Sequence, residues 1–523
     1  LRTRTRLSAI ALLLGLAAPG LAAQGFTTSD PVVHAIWEEG TQRSQVGTLA
    51  QTLVDSIGPR LTGSPGMDAS QRWLVSKYGS WGIDARNERY GTWKGWRRGH
   101  THVDLVQPRV RTLDAMLLAW SPGTRGAVAA PVIALPASAT PGSLERWRRE
   151  ARGKFVLASM PEMACRPTAD LEEFGGESAL ETYQARRDSA QEAWNARIAA
   201  LGIEPAQLNE WLDQAGVAGV LTTSWTGGYG ARRVFGVRHA ARAPFLSLSC
   251  EDYGLVARLA ENGQGPVLRV DARAEDLGQV PVANTIAVIP GSELPDEYVL
   301  LSAHLDSWDA SSGANDNGTG TIVMMEAMRI LQEVYPNPRR TIVVGHWGGE
   351  EQGLNGSRAF AADHPEIVAG LQALFNQDNG TGAVSNVSMQ GLIDAGSHFA
   401  GWLSLVPASI ADRIDLRVPG SPGGGGSDYA AFICHGAPAF SLSSDSWDYF
   451  RYTWHTNLDT FDKMHLDNVR DNAVLVATLA YAASEGERVG RDRREVMALG
   501  RDGQPGSWPE CRDGMRDWSG YAR

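Results

Sequence analysis

The chain has 523 residues, of which 43% are hydrophobic and 20% charged, and carries a formal net charge of -11. It is long enough for more than one domain and apolar enough for a real core, which excludes a disordered chain. The acidic balance argues against nucleic acid as a main partner.

Residues 1–24 read as an export signal. Arg2, Arg4 and Arg6 precede an apolar run over 7–18, Pro19-Gly20 breaks it, and Leu21-Ala22-Ala23-Gln24 offers small residues for cleavage. The run is too short to span a bilayer comfortably, so cleavage and a secreted or periplasmic location are expected, with no membrane partner afterwards. Cys165, Cys250, Cys434 and Cys511 are far apart. In an exported chain they allow two disulfides in any of three pairings, or isolated buried thiols.

Helical spacing is expected over 31–57 in two pieces and again over 67–78, separated by the turn-rich Gly58-Pro59-Arg60-Leu61-Thr62-Gly63. Residues 83–106 read as strand. His100 and His102 would share one face of it, but no adjacent carboxylate cluster completes a metal site, so a surface pair is expected. From 110 to 278 short β runs alternate with turns, around a charged helix near 171–201. Pro131 and Pro244 point to edge strands or strand starts, because proline cannot donate to a ladder. This block reads as an inserted β-rich domain. From 279 to 490 the pattern is α/β, with strands expected at 284–289, 298–303, 341–345 and 371–375 and helices near 320–334 and 467–484. Gly423-Gly424-Gly425-Gly426 lacks the lysine of a phosphate loop. Residues 25–109 are taken as the first part of the main domain, and 491–523 as a polar, peripheral tail.

Four stretches carry the chemistry. His304-Leu305-Asp306 follows the strand expected at 298–303, and Asp316 precedes a helix. Glu350-Glu351 follows the strand at 341–345, and Asp378 the strand at 371–375. His455 stands in a loop before the last long helix. Taken singly, a Glu-Glu pair is usually solvated and Asp-Asn-Gly is usually a turn. Together they supply two imidazoles and several carboxylates, nearly all at strand carboxyl ends, where an open α/β sheet gathers its ligands. Imidazole and carboxylate without thiolate suit zinc. Two ions sharing a bridging carboxylate use five ligands economically.

In these motifs, namely His304-Leu305-Asp306, Asn315-Asp316-Asn317-Gly318, Glu350-Glu351-Gln352-Gly353, Asn376-Gln377-Asp378-Asn379-Gly380 and His455-Thr456, the chain resembles the co-catalytic zinc aminopeptidase family, peptidase family twenty-eight. Within it, His-Leu-Asp-Ser-Trp-Asp resembles the plasma glutamate carboxypeptidase branch. The resemblance implies an α/β fold, a mostly parallel mixed sheet sandwiched by helices, with the insertion as a protease-associated domain. It implies two Zn2+ per chain, with Asp316 bridging, His304 and Asp378 on one ion and Glu351 and His455 on the other. Asp306 would orient His304, and Glu350 would be the general base. Tyr449 or Tyr452 would stabilise the oxyanion. Asp316-Asn317 would be a cis peptide. The implied activity is hydrolysis of dipeptides or short peptides with a free terminus, so the expected partner is a peptide, and a homodimer is left open. The rival readings are a glutaminyl cyclase-like enzyme and an inactive binding protein.

Overall fold

The computed structural model describes residues 26, 28–138, 140–496 and 506–522. The expected export signal lies outside them. Among the described residues no helix is long and apolar enough to cross a membrane.

The catalytic half is built on parallel strands β3 (Leu294–His304), β4 (Arg340–Trp347), β5 (Leu371–Asn376) and β6 (Ala439–Ser444). They lie in the order β6-β5-β3-β4, each parallel to its neighbours. Every residue of β4 and β5 is buried, the mark of strands covered on both faces. Their Ile, Val, Leu and Phe side chains join one core with the helices Pro31–Gln42, Thr319–Val334 and Leu466–Glu485. Arg329 fastens the first of these helices: its guanidinium pairs with Glu39 and, at 2.9 Å, with Glu326 of its own helix. These elements fall where hydrophobic periodicity puts them. β6 was not expected, and it matters below.

Two long strands tie the halves together. β1 (Asp84–Gln107) and β2 (Val267–Ile289) pair antiparallel along almost their whole length, and β2 also borders β4. Their far ends carry the inserted region, where strands Val128–Ala134, Phe155–Leu157, Gly219–Thr222 and Phe245–Leu248 extend the same sheet. Helices Ala179–Ala199 and Cys250–Glu261 are interleaved with them, and the charged helix expected near 171–201 begins as a separate piece, Thr168–Phe174. Pro244 does precede a strand. Pro131 does not mark an edge. Residues 128–131 pair with β2 and 132–134 with Phe155–Leu157, so the proline sits where the strand changes partner and no ladder donor is lost. His100 and His102 are exposed on β1, each beside a carboxylate, Asp271 and Asp104.

Two disulfides join the cysteines, Cys165–Cys250 within the inserted region and Cys434–Cys511. The second holds residues 506–522 against the catalytic half. This segment is not the peripheral tail that its polarity suggests: Tyr521 is buried, and Trp518 packs on Trp93 and Trp120.

One buried group sets an acid limit. His346 on β4 shares a hydrogen bond of 2.7 Å with the Tyr78 hydroxyl, and its Nδ1 is buried without a partner. Burial drops its pKa from 6.5 to about 3. Between those values the unfolded chain holds the extra proton, so this contribution to stability is complete above pH 6.5 and is lost as the pH falls, by about 1.4 kcal/mol per unit. Denaturant titrations from pH 7 to 4.5 should give a shallower pH dependence for His346→Gln than for the parent; equal slopes would reject the assignment.

Candidate metal centre and active site

The carboxyl ends of β6, β5, β3 and β4 lie along one edge of the sheet, and the candidate residues gather there. His304 ends β3. Glu350 and Glu351 follow β4, and Asp378 follows β5. His455 lies in the loop that follows β6, so the unexpected strand accounts for the one ligand candidate that no expected strand delivered.

Asp316 stands at the centre. Its Oδ1 is 3.5 Å from His304 Nε2 and its Oδ2 is 3.3 Å from His455 Nε2. Around it, His304, Asp316 and Asp378 form one group of donor atoms within 4.8 Å of one another, and Asp316, Glu351 and His455 form a second. His304 Nε2 lies 3.3 Å from Asp378 Oδ1, and His455 Nε2 lies 2.8 Å from Glu351 Oε2. Asp316 Oδ2 is buried and makes no hydrogen bond. An orphaned carboxylate oxygen is costly to bury, and a cation bound there would satisfy it. The donor set of nitrogen and oxygen without sulfur fits zinc in both groups. The Asp316-Asn317 peptide is cis, as the resemblance implies.

Electrostatics follow from crowding. Burial pushes Glu350 and Glu351 well above the ordinary carboxylate range, and neighbouring carboxylates add to the shift. Burial alone would pull His304 down, but Asp378, Glu350 and Asp316 face it and carry it well above its usual value. Burial also acts on Asp316, yet His304, His455 and the Tyr449 hydroxyl together hold it below the usual carboxylate value. Tyr449 is therefore placed beside the centre. Tyr452 lies in the adjoining cavity of about 560 Å³, and its carbonyl accepts a bond from the Thr456 hydroxyl.

Asp306 acts differently from the expectation. The group that accepts the His304 Nδ1 proton, at 2.9 Å, is the Asp306 backbone carbonyl, while the carboxylate is 3.8 Å away. That bond fixes the tautomer and leaves Nε2 aimed at the centre. The carboxylate instead accepts the backbone N–H groups of Glu350 at 3.1 Å and Glu351 at 3.3 Å, with Thr62 at 3.2 Å. One residue thus sets both the imidazole and the Glu-Glu turn.

Three groups escaped the sequence. Asp459 accepts Asn315 N, Asn315 Nδ2 and Asp316 N at 2.8, 2.9 and 3.0 Å, and so holds the segment that carries the central carboxylate. Burial raises its pKa to about 7, against the pull of those bonds. Asp428, fully buried near Glu350 and Asp378, is likewise raised to about 7 by burial. Arg60 is fully buried beneath the site. Its guanidinium donates to the carbonyls of Leu305, Gly58, Ser312 and Gly313 at 2.7, 3.1, 2.7 and 2.8 Å. Gly313 takes a φ of +60°, and a Cβ there would run into the Ser307 side chain. The loop between His304 and Asp316 is thereby wound around one cation, and Arg98 on β1 pins it again through Asp309 at 2.8 Å. Arg60→Met should cost about 3 kcal/mol in denaturant titrations, because it leaves buried carbonyls unpaired. Unchanged stability would contradict that role.

The inserted region also reaches the site. Val234 N donates to the His455 carbonyl at 2.9 Å, and the Phe235 ring meets His455 and Trp308 edge-on.

Residues 284–480 match the profile of Peptidase family M28, and every candidate ligand falls inside that span. Carboxypeptidase Q of Rattus norvegicus is 27% identical over 438 residues, covering 84% of each chain. Residues 284–480 are thus similar to peptidase family M28. The chain is also 25% identical to carboxypeptidase Q of Mus musculus over 434 residues, 83% of this chain and 84% of the mouse protein. Among solved structures, a peptidase M28 precursor from Shewanella amazonensis matches with a TM-score of 0.63 at 22% identity, covering 88% of this chain and 97% of that one. A zinc aminopeptidase from Bacillus subtilis matches at 0.53 and 18%, covering 86% and 96%. Both share the fold. The M28 match and the likeness to carboxypeptidase Q together make the protein a metallopeptidase, a hydrolase.

Proposed function

We propose that this protein is an exported, zinc-dependent exopeptidase that hydrolyses dipeptides or short peptides with a free terminus. The observation that carries the reading is the position of Asp316, one oxygen toward His304 and the other toward His455, between two donor groups. His304, Asp316 and Asp378 would hold one ion, and Asp316, Glu351 and His455 a second. Bound zinc would supply Lewis acidity, acidifying the attacking water and polarising the scissile carbonyl.

The protein's own groups do the rest. Glu350 Oε2, 3.9 Å from His304 Nε2, takes a proton from the attacking water and returns one to the leaving amine. The Tyr449 hydroxyl stands where it can donate to the developing oxyanion. Asp459, Asp306 and Arg60 keep the groups in register. Residues 110–278 serve as a protease-associated domain that helps wall the cleft. The two disulfides accord with an oxidising compartment outside the cytoplasm.

A panel of dipeptides, amino-blocked peptides and carboxyl-blocked peptides tests this on the purified protein. Zinc-dependent hydrolysis that is lost when a terminus is blocked supports it. Pyroglutamate formation, or no turnover by the zinc-loaded protein, rejects it.

A further inference from the structure

A cavity of about 590 Å³ borders the turn that leads into Glu350. Neither Glu350 nor any of the five ligand candidates lines it, so it is separate from the metal centre. Its walls come from the first turn of the helix Pro65–Ser80, from β1 and β2 where they pair, and from Gly348-Gly349. The volume is in the range that holds a small organic molecule.

The lining indicates what kind of molecule. Met67, Leu277, Val280 and Val282 give an apolar wall, and Arg89 and Arg97 bring two guanidinium groups to it. Arg97 is paired with Glu275 at 2.9 Å. Arg89 uses Nε on the Gly91 carbonyl at 3.1 Å, and among the described residues no carboxylate pairs with it. Asp68, the acid on the wall, is paired with Arg72. The helix that starts at Pro65 turns the positive end of its dipole to the same cavity. An apolar wall beside an unpaired guanidinium fits an apolar body that carries one anionic group.

Two hydroxyls on this wall hold the catalytic turn. Tyr90 donates to the Gly348 carbonyl at 2.9 Å and lies so close that a Cβ at Gly349 would run into it. Thr62 donates to the Asp306 carboxylate at 3.2 Å, the same carboxylate that accepts the Glu350 and Glu351 N–H groups. A molecule that displaces either hydroxyl therefore shifts the turn without touching a metal ligand.

We propose that this cavity is an effector site for a small amphipathic anion, and that its occupancy slows the enzyme by shifting the turn over 348–351. The effect on turnover rests on the exopeptidase reading above; the binding itself does not.

The test uses anilinonaphthalenesulfonate, which has an apolar body and one sulfonate and fluoresces on entering an apolar site. Phenylnaphthylamine is its counterpart without the sulfonate. Both are titrated into the full chain with its zinc bound. The parent should bind the sulfonate about fivefold more tightly than the neutral compound. Arg89→Gln should bring the two affinities together, and Val280→Trp, which fills the cavity, should abolish the binding of both. Arg89 is exposed, so its comparison stands even where Val280→Trp fails to fold. Saturating sulfonate should lower the parent's kcat on an Ala-Leu dipeptide about fivefold with KM little changed. Absence of binding, binding that neither substitution weakens, or binding that leaves kcat untouched would overturn the assignment. Inhibition that raises KM alone would overturn it too, because that is competition at the metal centre. A zinc-loaded parent that hydrolyses no peptide would reject the exopeptidase reading instead, and the binding comparison would still decide the site.

Discussion

Glu350→Gln keeps its zinc and loses turnover, with kcat falling about 10²- to 10⁴-fold and KM changing little. Three observations lead to that expectation. Glu350 follows β4 beside a ligand candidate, yet it belongs to neither donor group at the centre. Its backbone N–H is held by Asp306 Oδ1 at 3.1 Å, so the side chain projects from a fixed turn. Its Oε2 lies 3.9 Å from His304 Nε2, which keeps the carboxylate beside the centre without joining either group. Glutamine keeps the volume and removes the basic oxygen. Bound zinc by elemental analysis, together with steady-state kinetics, separates the cases. Activity near that of the parent would remove Glu350 from the role of base. Loss of zinc would make it a ligand instead.

Asp316→Ala should lose metal before anything else. Asp316 is the residue shared by both donor groups, so its removal weakens both at once, whereas Asp378→Ala or His455→Ala removes a donor from one. The His304 and His455 Nε2 atoms, now 3.5 and 3.3 Å from its two oxygens, would face each other across a void. Zinc content after dialysis should fall far below that of either single-group variant, and turnover should fall with it. A zinc content equal to the parent's would end the bridging assignment. Asp316→Asn is the useful companion. It preserves shape and the Asp459 bonds to the backbone, so a loss of zinc there isolates the charge.

Much of this site was legible because parallel strands bring their carboxyl ends together, and a strand followed by His, Glu-Glu or Asp can be read from alternating apolar runs and turns. His304, Glu350, Glu351 and Asp378 could be placed in that way. His455 could not be explained, because Ala439-Phe440-Ser441-Leu442-Ser443-Ser444 is short and half polar and gives little strand signal, although it sits between other strands in the sheet. Asp459 and Arg60 work on backbone groups. No spacing rule ties an acid or a guanidinium to a carbonyl hundreds of residues away, as Arg60 is tied to Gly313.

The role of Asp306 shows a different limit. Its identity could be read, but whether its carbonyl or its carboxylate meets His304 depends on how the turn after β3 is wound, and Arg60 and Arg98 decide that from elsewhere in the chain. The C-terminal segment misled for a related reason. Its polar composition suggests a free tail, while Trp518, Tyr521 and the Cys434–Cys511 bridge fold it against the catalytic half. The inserted region likewise carries few acids or imidazoles suited to catalysis, so its contribution through Val234 and Phe235 is a matter of proximity that sequence spacing does not reveal.

The central claim is that two groups of ligands share Asp316 and that both must be filled for turnover. Zinc titration of the metal-free protein tests it most directly, with bound metal and dipeptide hydrolysis followed in the same samples. The account predicts that hydrolysis rises to a plateau at two zinc per chain and that Asp316→Ala reaches no plateau over the same range. Full activity at one zinc per chain, or activity that survives complete removal of the metal, would contradict it.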